Sequence, residues 1–176
     1  GEMTYRTNKV TGDKVSILGY GCMRWPMIKD ENGKDIVDQE AVNSLVDYAM
    51  AHGVNYYDSS PVYLQGQSEQ ATGIALSRYP RDSYFVATKL SNFSNSTREN
   101  SIEMYRMSLK NFQTDYIDYY LLHSVSREFY EMIRPKYCLY CAPDWLWENN
   151  VKSNGGPETR GQGPFLTLET RRWMAE

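Results

Sequence analysis

The chain has 176 residues, 41% of them hydrophobic and 23% charged, with a net charge of −3. These values exclude wholesale disorder, and no run of Lys and Arg marks a nucleic-acid surface or a membrane surface. No apolar stretch approaches the ~20 residues of a membrane-spanning helix, and the N-terminus has no secretory-leader pattern.

Residues 4–8 and 14–18 read as two strands around the turn cluster Val10-Thr11-Gly12-Asp13, so a β-hairpin is expected. The second run is expected to continue through Leu18-Gly19-Tyr20-Gly21-Cys22 as the first core strand, and residues 30–34 read as a charged loop. Residues 39–52 carry apolar side chains at 42, 45, 46 and 49, a helical spacing, with Asp38 as cap and Gly53 just past the end. A strand is expected at 54–58 and a helix at 68–78 capped by Ser68. The β-branched and aromatic run 84–89 reads as a buried strand. Ser96-Thr97-Arg98-Glu99 is a capping-box sequence opening a helix to about residue 112. A strand at 115–122 and a short helix at 126–133 follow.

Strands recurring about every 30 residues with helices between them are βαβ units. The fold class is α/β, compatible from pattern alone with an open doubly wound sheet or with part of a (β/α)₈ barrel. The pattern ends near residue 134. Four of the seven prolines (135, 143, 157, 164) and Gly155, Gly156, Gly161 and Gly163 follow it. Two regions are therefore expected: 1–133, and an irregular tail at 134–176 with one short helix at 166–175. The cysteines Cys22, Cys138 and Cys141 are too few for a disulfide scaffold, which points to a reducing cytoplasm. Cys138 and Cys141 form a C-x-x-C without the further ligands that an iron–sulfur cluster or zinc requires, so no metal is expected.

Reactive groups of parallel α/β folds collect at the carboxyl ends of strands. Asp58, Lys89 and His123 stand at three such ends, and Tyr63 lies in the loop after Asp58. A phenol with a pKa near ~10 is a weak acid at neutral pH, and a neighbouring ammonium makes it a better one. A carboxylate holds that ammonium charged, and an imidazole beside the phenol can orient a carbonyl oxygen. Such a set suits protonation of a carbonyl while hydride arrives from elsewhere. Each residue alone has an ordinary reading: Asp58 as a turn or cap residue, His123 as a satisfied structural group, Lys89 as a solvated strand end, and Tyr63 as one of fifteen tyrosines.

Between about residues 5 and 125 the sequence resembles the aldo-keto reductases. The resemblance rests on Val15-Ser16-Ile17-Leu18-Gly19-Tyr20-Gly21-Cys22, on Gly53-Val54-Asn55-Tyr56-Tyr57-Asp58-Ser59-Ser60-Pro61-Val62-Tyr63, and on Gly66, Ser68-Glu69 and Gly73. Ala87-Thr88-Lys89 and Asp115-Tyr116-Ile117-Asp118-Tyr119-Tyr120-Leu121-Leu122-His123 complete it. The resemblance implies a (β/α)₈ barrel, here a partial one of about four βα units, with the hairpin capping its bottom. It implies reduction of an aldehyde or ketone to an alcohol with NADPH. Tyr63 would be the general acid, Lys89 would tune it, Asp58 would pair with Lys89, and His123 would orient the carbonyl. Met23, Arg24 and Trp25 would line the substrate mouth, with core packing an equal reading of Trp25.

A whole barrel of this kind takes about 250 residues. The resemblance puts the NADPH site in later loops that have no recognisable counterpart here. The tail offers Lys152, Arg160, Arg171 and Arg172, without a Gly-rich turn feeding a helix. Weak or absent activity is therefore expected of this chain alone, with a non-catalytic half barrel or a binding module as alternatives. The open sheet edge is expected to be covered by the tail, by a partner chain or by a second copy. Lys89 Nζ is expected within reach of both Asp58 and the Tyr63 hydroxyl.

Overall fold

The computed structural model describes residues 2–91 and 97–124. The expected helices at 126–133 and 166–175, Cys138, Cys141 and the cover of the sheet edge all lie outside the described residues.

Strands β1 (Tyr5–Thr7) and β2 (Lys14–Ser16) form the expected antiparallel hairpin. The run does not continue unbroken into the core. Ile17 and Leu18 are exposed in a bend, and β3 (Tyr20–Gly21) starts afresh. Ser16 causes the break: its hydroxyl donates to the Leu18 carbonyl and its N–H to Asn55 Oδ1, which bends the chain there. A second hairpin, β4 (Met27–Lys29) with β5 (Asp35–Val37), brackets the segment expected only as a loop.

The core sheet has four parallel strands in the order β3, β6 (Tyr56–Asp58), β7 (Phe85–Leu90), β8 (Tyr119–Leu122). Helices α1 (Gln39–Ala51), α2 (Ser68–Leu76) and α3 (Arg98–Phe112) form the outer layer. The chain thus builds the first part of a (β/α)₈ barrel. Asp38 caps α1 by accepting the Ala41 N–H, and Gly53 follows the helix with φ +85°, where a side chain would also collide with the Tyr5 hydroxyl. Two caps differ from expectation. Ser68 lies inside α2 with its hydroxyl turned to the Cys22 carbonyl, and Thr97 rather than Ser96 caps α3 by accepting the Asn100 N–H.

Alternation along the strands sorts the side chains. Tyr57, Val86, Leu90 and Tyr120 pack with Val42, Val46, Ala75, Leu76, Tyr105 and Phe112 in the core. The intervening Tyr56, Phe85 and Tyr119 meet ring to ring. Asp58 and Lys89 belong to that second set, nearer the carboxyl ends. At the opposite end, Asn55 bonds to Ser16 and Lys14 of the β1–β2 hairpin, and the Tyr119 hydroxyl donates to Asp13 Oδ2. The hairpin therefore closes the amino-terminal ends of the strands, leaving the chemistry to the other end. No helix among the described residues is long and apolar enough to cross a membrane.

Candidate active site

Asp58 ends β6, and the ladder carries one step further because the Ser59 N–H donates to the Ala87 carbonyl. Parallel pairing sets Asp58 opposite Ala87, two residues before Lys89, so the lysine reaches across to the next strand's end. Lys89 Nζ donates to Asp58 Oδ1 and to the Ser59 carbonyl, both at 2.6 Å. The lysine side chain is 12% exposed and the aspartate 32%. A nearly buried ammonium needs such partners to stay charged.

The third face of the ammonium meets Tyr63. Nζ stands 4.8 Å from the centre of the tyrosine ring, over its face, and not in a hydrogen bond with the hydroxyl as expected. Two strong acceptors on the strand side draw Nζ to that side, leaving the aromatic face as its third contact. Tyr63 opens a short turn, Tyr63–Gly66, in which Leu64 (φ 51°) and Gln65 (φ 56°) are both left-handed. Neither is glycine, so the turn is strained, and neighbouring contacts must hold it. The missed β4–β5 hairpin supplies them: Gln67 accepts the Val37 N–H and donates to the Asp35 carbonyl. The hairpin thus fixes the loop that carries Tyr63.

His123 follows β8, its N–H donating to the Leu90 carbonyl. Its ring stands edge-on to Tyr63 with centroids 5.7 Å apart. Nδ1 lies 2.6 Å from Ser91 Oγ and 3.2 Å from Ser60 Oγ. Burial, and then the charge of Lys89, push the imidazole below its ordinary pKa, which favours the neutral ring. Asp58, Lys89, Tyr63 and His123 therefore converge, as the strand-end argument expects.

The residues after β3 separate. Met23 and Arg24 are exposed, whereas Trp25 is 3% exposed, stacks on Tyr20 and donates its indole N–H to Thr72 Oγ1. Trp25 is core packing and not a wall of the mouth, because its single polar atom is satisfied inside.

Behind the site lies a polar hub that the sequence reading quoted only within a motif. Glu69 is 1% exposed. Its Oε1 accepts from Thr88 at 2.6 Å and Ser108 at 2.8 Å, and its Oε2 from Asn111 at 3.1 Å. Burial pushes its pKa up, while these donors and Lys89 pull it back. The available signal was positional: 69, 72, 73 and 76 make one buried face of α2, on which a glutamate is out of place.

Lys89 is the cation of the cluster, and its hydrogen bonds go to Asp58 and Ser59. The cluster fits the proton-donor side of a carbonyl reaction. It does not by itself fit a dinucleotide, whose phosphates require a cradle of N–H groups or cations.

The family model described as "Aldo/keto reductase family" matches residues 18–148. The aldo-keto reductase YhdN of Bacillus subtilis is 32% identical over 129 residues, which is 69% of this chain and 38% of that protein. A probable aldo-keto reductase 1 of Glycine max is 31% identical over 122 residues, 65% of this chain and 34% of that protein. The chain thus spans little more than a third of the curated relatives it matches. Among solved structures, the thermostable aldo-keto reductase Tm1743 superposes with a TM-score of 0.58 at 27% identity, covering 72% of this chain and 44% of that one.

Proposed function

This chain belongs to the aldo/keto reductase family, and we propose that its strand-end cluster is the proton-donating half of a carbonyl reductase site. The substrate class is an aldehyde or ketone, reduced to the alcohol. The observation that carries the reading is the Lys89–Asp58 pair at 2.6 Å with the Tyr63 and His123 rings gathered on it. Tyr63 gives its phenolic proton to the carbonyl oxygen and regains one from water. Lys89, held charged by Asp58, supplies the positive field in which the phenolic oxygen takes up negative charge. His123, neutral near pH 7, donates a hydrogen bond that fixes the carbonyl oxygen beside Tyr63.

NADPH is the hydride source in this reading, supported by the family and not by a cradle among the described residues. For the same reason these 176 residues alone are expected to turn over weakly or not at all. A second copy, or residues after β8, would cover the sheet edge in this reading. The test follows NADPH oxidation with 4-nitrobenzaldehyde, comparing the chain with Tyr63→Phe, beside a direct NADPH titration. Turnover above background that falls by about 10²–10⁴-fold in the variant supports the assignment of Tyr63. Measurable turnover that is equal in both proteins removes Tyr63 from the role. Saturable NADPH binding supports an enzyme, and absence of binding supports a non-catalytic half barrel.

A further inference from the structure

Ser60 and Ser91 come from different loops, after β6 and at the end of β7, yet their hydroxyls meet at 3.0 Å beside His123 Nδ1. Ser60 is 0% exposed and Ser91 4%. The Val62 N–H approaches Ser60 Oγ as a donor at 3.4 Å. Among the described residues, these contacts are the ones the two hydroxyls make.

The hydrogens of this group can be counted. Two hydroxyl hydrogens must each find an acceptor among Ser60 Oγ, Ser91 Oγ and His123 Nδ1. If Nδ1 accepts, both are placed: one goes to the other serine and one to the ring. If Nδ1 carries a proton, three hydrogens compete for two acceptors, and one buried hydroxyl is left pointing at nothing. A protonated imidazolium meets the same conflict.

We infer that Ser60 and Ser91 are positioning residues that hold His123 Nδ1 as an acceptor, and so place the ring's single proton on Nε2. The inference deepens the reductase reading, because Nε2 is then the atom that donates to the substrate oxygen. The lowered pKa of His123 agrees with a neutral ring, and Lys89, Asp58 and Tyr63 are among the groups that face it within the described residues. The chain's other histidine offers a built-in contrast. His52 Nδ1 lies 2.7 Å from the Tyr48 carbonyl, which can only accept, so the neutral ring there carries its proton on Nδ1. The two imidazoles are thus set in opposite tautomers.

The experiment is a long-range ¹H–¹⁵N spectrum of the full ¹⁵N-labelled chain, at a pH where both rings are neutral, assigned with His52→Gln. The expected result is an unprotonated Nδ1 and a protonated Nε2 in His123, with His52 shifted the opposite way. Ser91→Ala, alone or with Ser60→Ala, should turn the single His123 form into a mixture, and Ser91→Thr should restore it. A protonated Nδ1 in the unaltered chain overturns the inference, as does an unchanged tautomer when both serines are alanine. The unaltered spectrum decides the tautomer even if the double variant does not fold. No substrate or cofactor enters the measurement. The expected tautomer, found beside measurable turnover that is equal with and without the Tyr63 hydroxyl, would therefore sink the reductase reading and leave the serine pair standing.

Discussion

Two cation–carboxylate pairs stand at opposite ends of the sheet, Arg81–Asp118 just before β7 and β8 and Lys89–Asp58 between β7 and β6, and they are built differently. At the amino-terminal end, Arg81 donates to Asp118 Oδ2 at 2.6 Å, to Thr114 Oγ1 and to the carbonyls of Tyr84 and Tyr116. Its guanidinium lies 3.8 Å from the Tyr116 ring centre, and Asp118, 2% exposed, also accepts the Val86 N–H. At the carboxyl end, Lys89 uses two of its three N–H bonds on Asp58 and Ser59 and turns toward the Tyr63 ring. A planar fork with its donors taken up is a staple, whereas a point charge with a donor in hand can respond to a reacting partner. The same two kinds of charge thus serve stability at one end and chemistry at the other.

Arg81→Ala tests the staple most severely. It removes the cation from the buried Asp118 carboxylate and should cost about 3–5 kcal/mol in urea unfolding. A loss under about 1 kcal/mol, the worth of an exposed pair, would erase the contrast between the two ends.

Glu69→Gln examines a carboxylate that neutral donors hold. Its raised pKa means the folded chain keeps that proton to higher pH than the unfolded chain does. Its contribution is therefore present below the ordinary value of 4.5 and is lost as pH rises through the raised value. Stability measured across that window should fall more steeply in the unaltered chain than in the glutamine variant. Parallel curves would show that Glu69 titrates normally.

Lys89→Met sharpens the other end. Removing the cation takes away one cause of the low His123 pKa and leaves Asp58, which acts in the opposite direction. An NMR titration should find the imidazole pKa higher in the variant. A fall would mean that Lys89 does not act on that ring.

The smallest effect is expected at Tyr120. Its hydroxyl is buried without a hydrogen-bond partner among the described residues, and its ring stands perpendicular to that of Tyr105. Tyr120→Phe should be neutral or stabilising by up to ~1 kcal/mol in thermal unfolding, since no bond is lost. A marked destabilisation would reveal a partner for that hydroxyl.

Three of the four strand ends were legible in the sequence because the apolar or aromatic runs of β6, β7 and β8 meet a polar residue at or near their carboxyl ends, so Asp58, Lys89 and His123 could be placed without coordinates, although β7 runs one residue past Lys89. The β4–β5 hairpin was not. Met27 and Ile28 are exposed, so burial prints no alternation there, and pairing depends on Asp30, whose Oδ1 accepts the Asn32 and Lys34 N–H groups. Ser60 and Ser91 were equally silent, because serine is ordinary in loops and their meeting depends on strand register. The approach of Lys89 to the face of Tyr63 follows from the pull of Asp58 and the Ser59 carbonyl on Nζ, and the turn that carries Tyr63 holds two left-handed residues with no sequence mark. Trp25 was open to both readings because it follows a strand end, the position expected of a mouth residue, and the structure decides for the core, where its indole N–H has a partner.

Gly73 sits on the same face of α2 as Glu69, one helical turn later. A β-carbon there would run into the Asn111 carbonyl oxygen and come within 2.6 Å of Phe112 Cα. The two helices therefore touch backbone to backbone at this point, and a single hydrogen atom is the spacer between them. Because Glu69 and Asn111 flank that contact, the spacing also sets how deeply the carboxylate reaches beneath Thr88. Mutational drift at position 73 is thus closed for a reason unrelated to reactivity. A methyl group there would lift one helix off the other and change the reach of an acid directly behind the strand that carries Lys89.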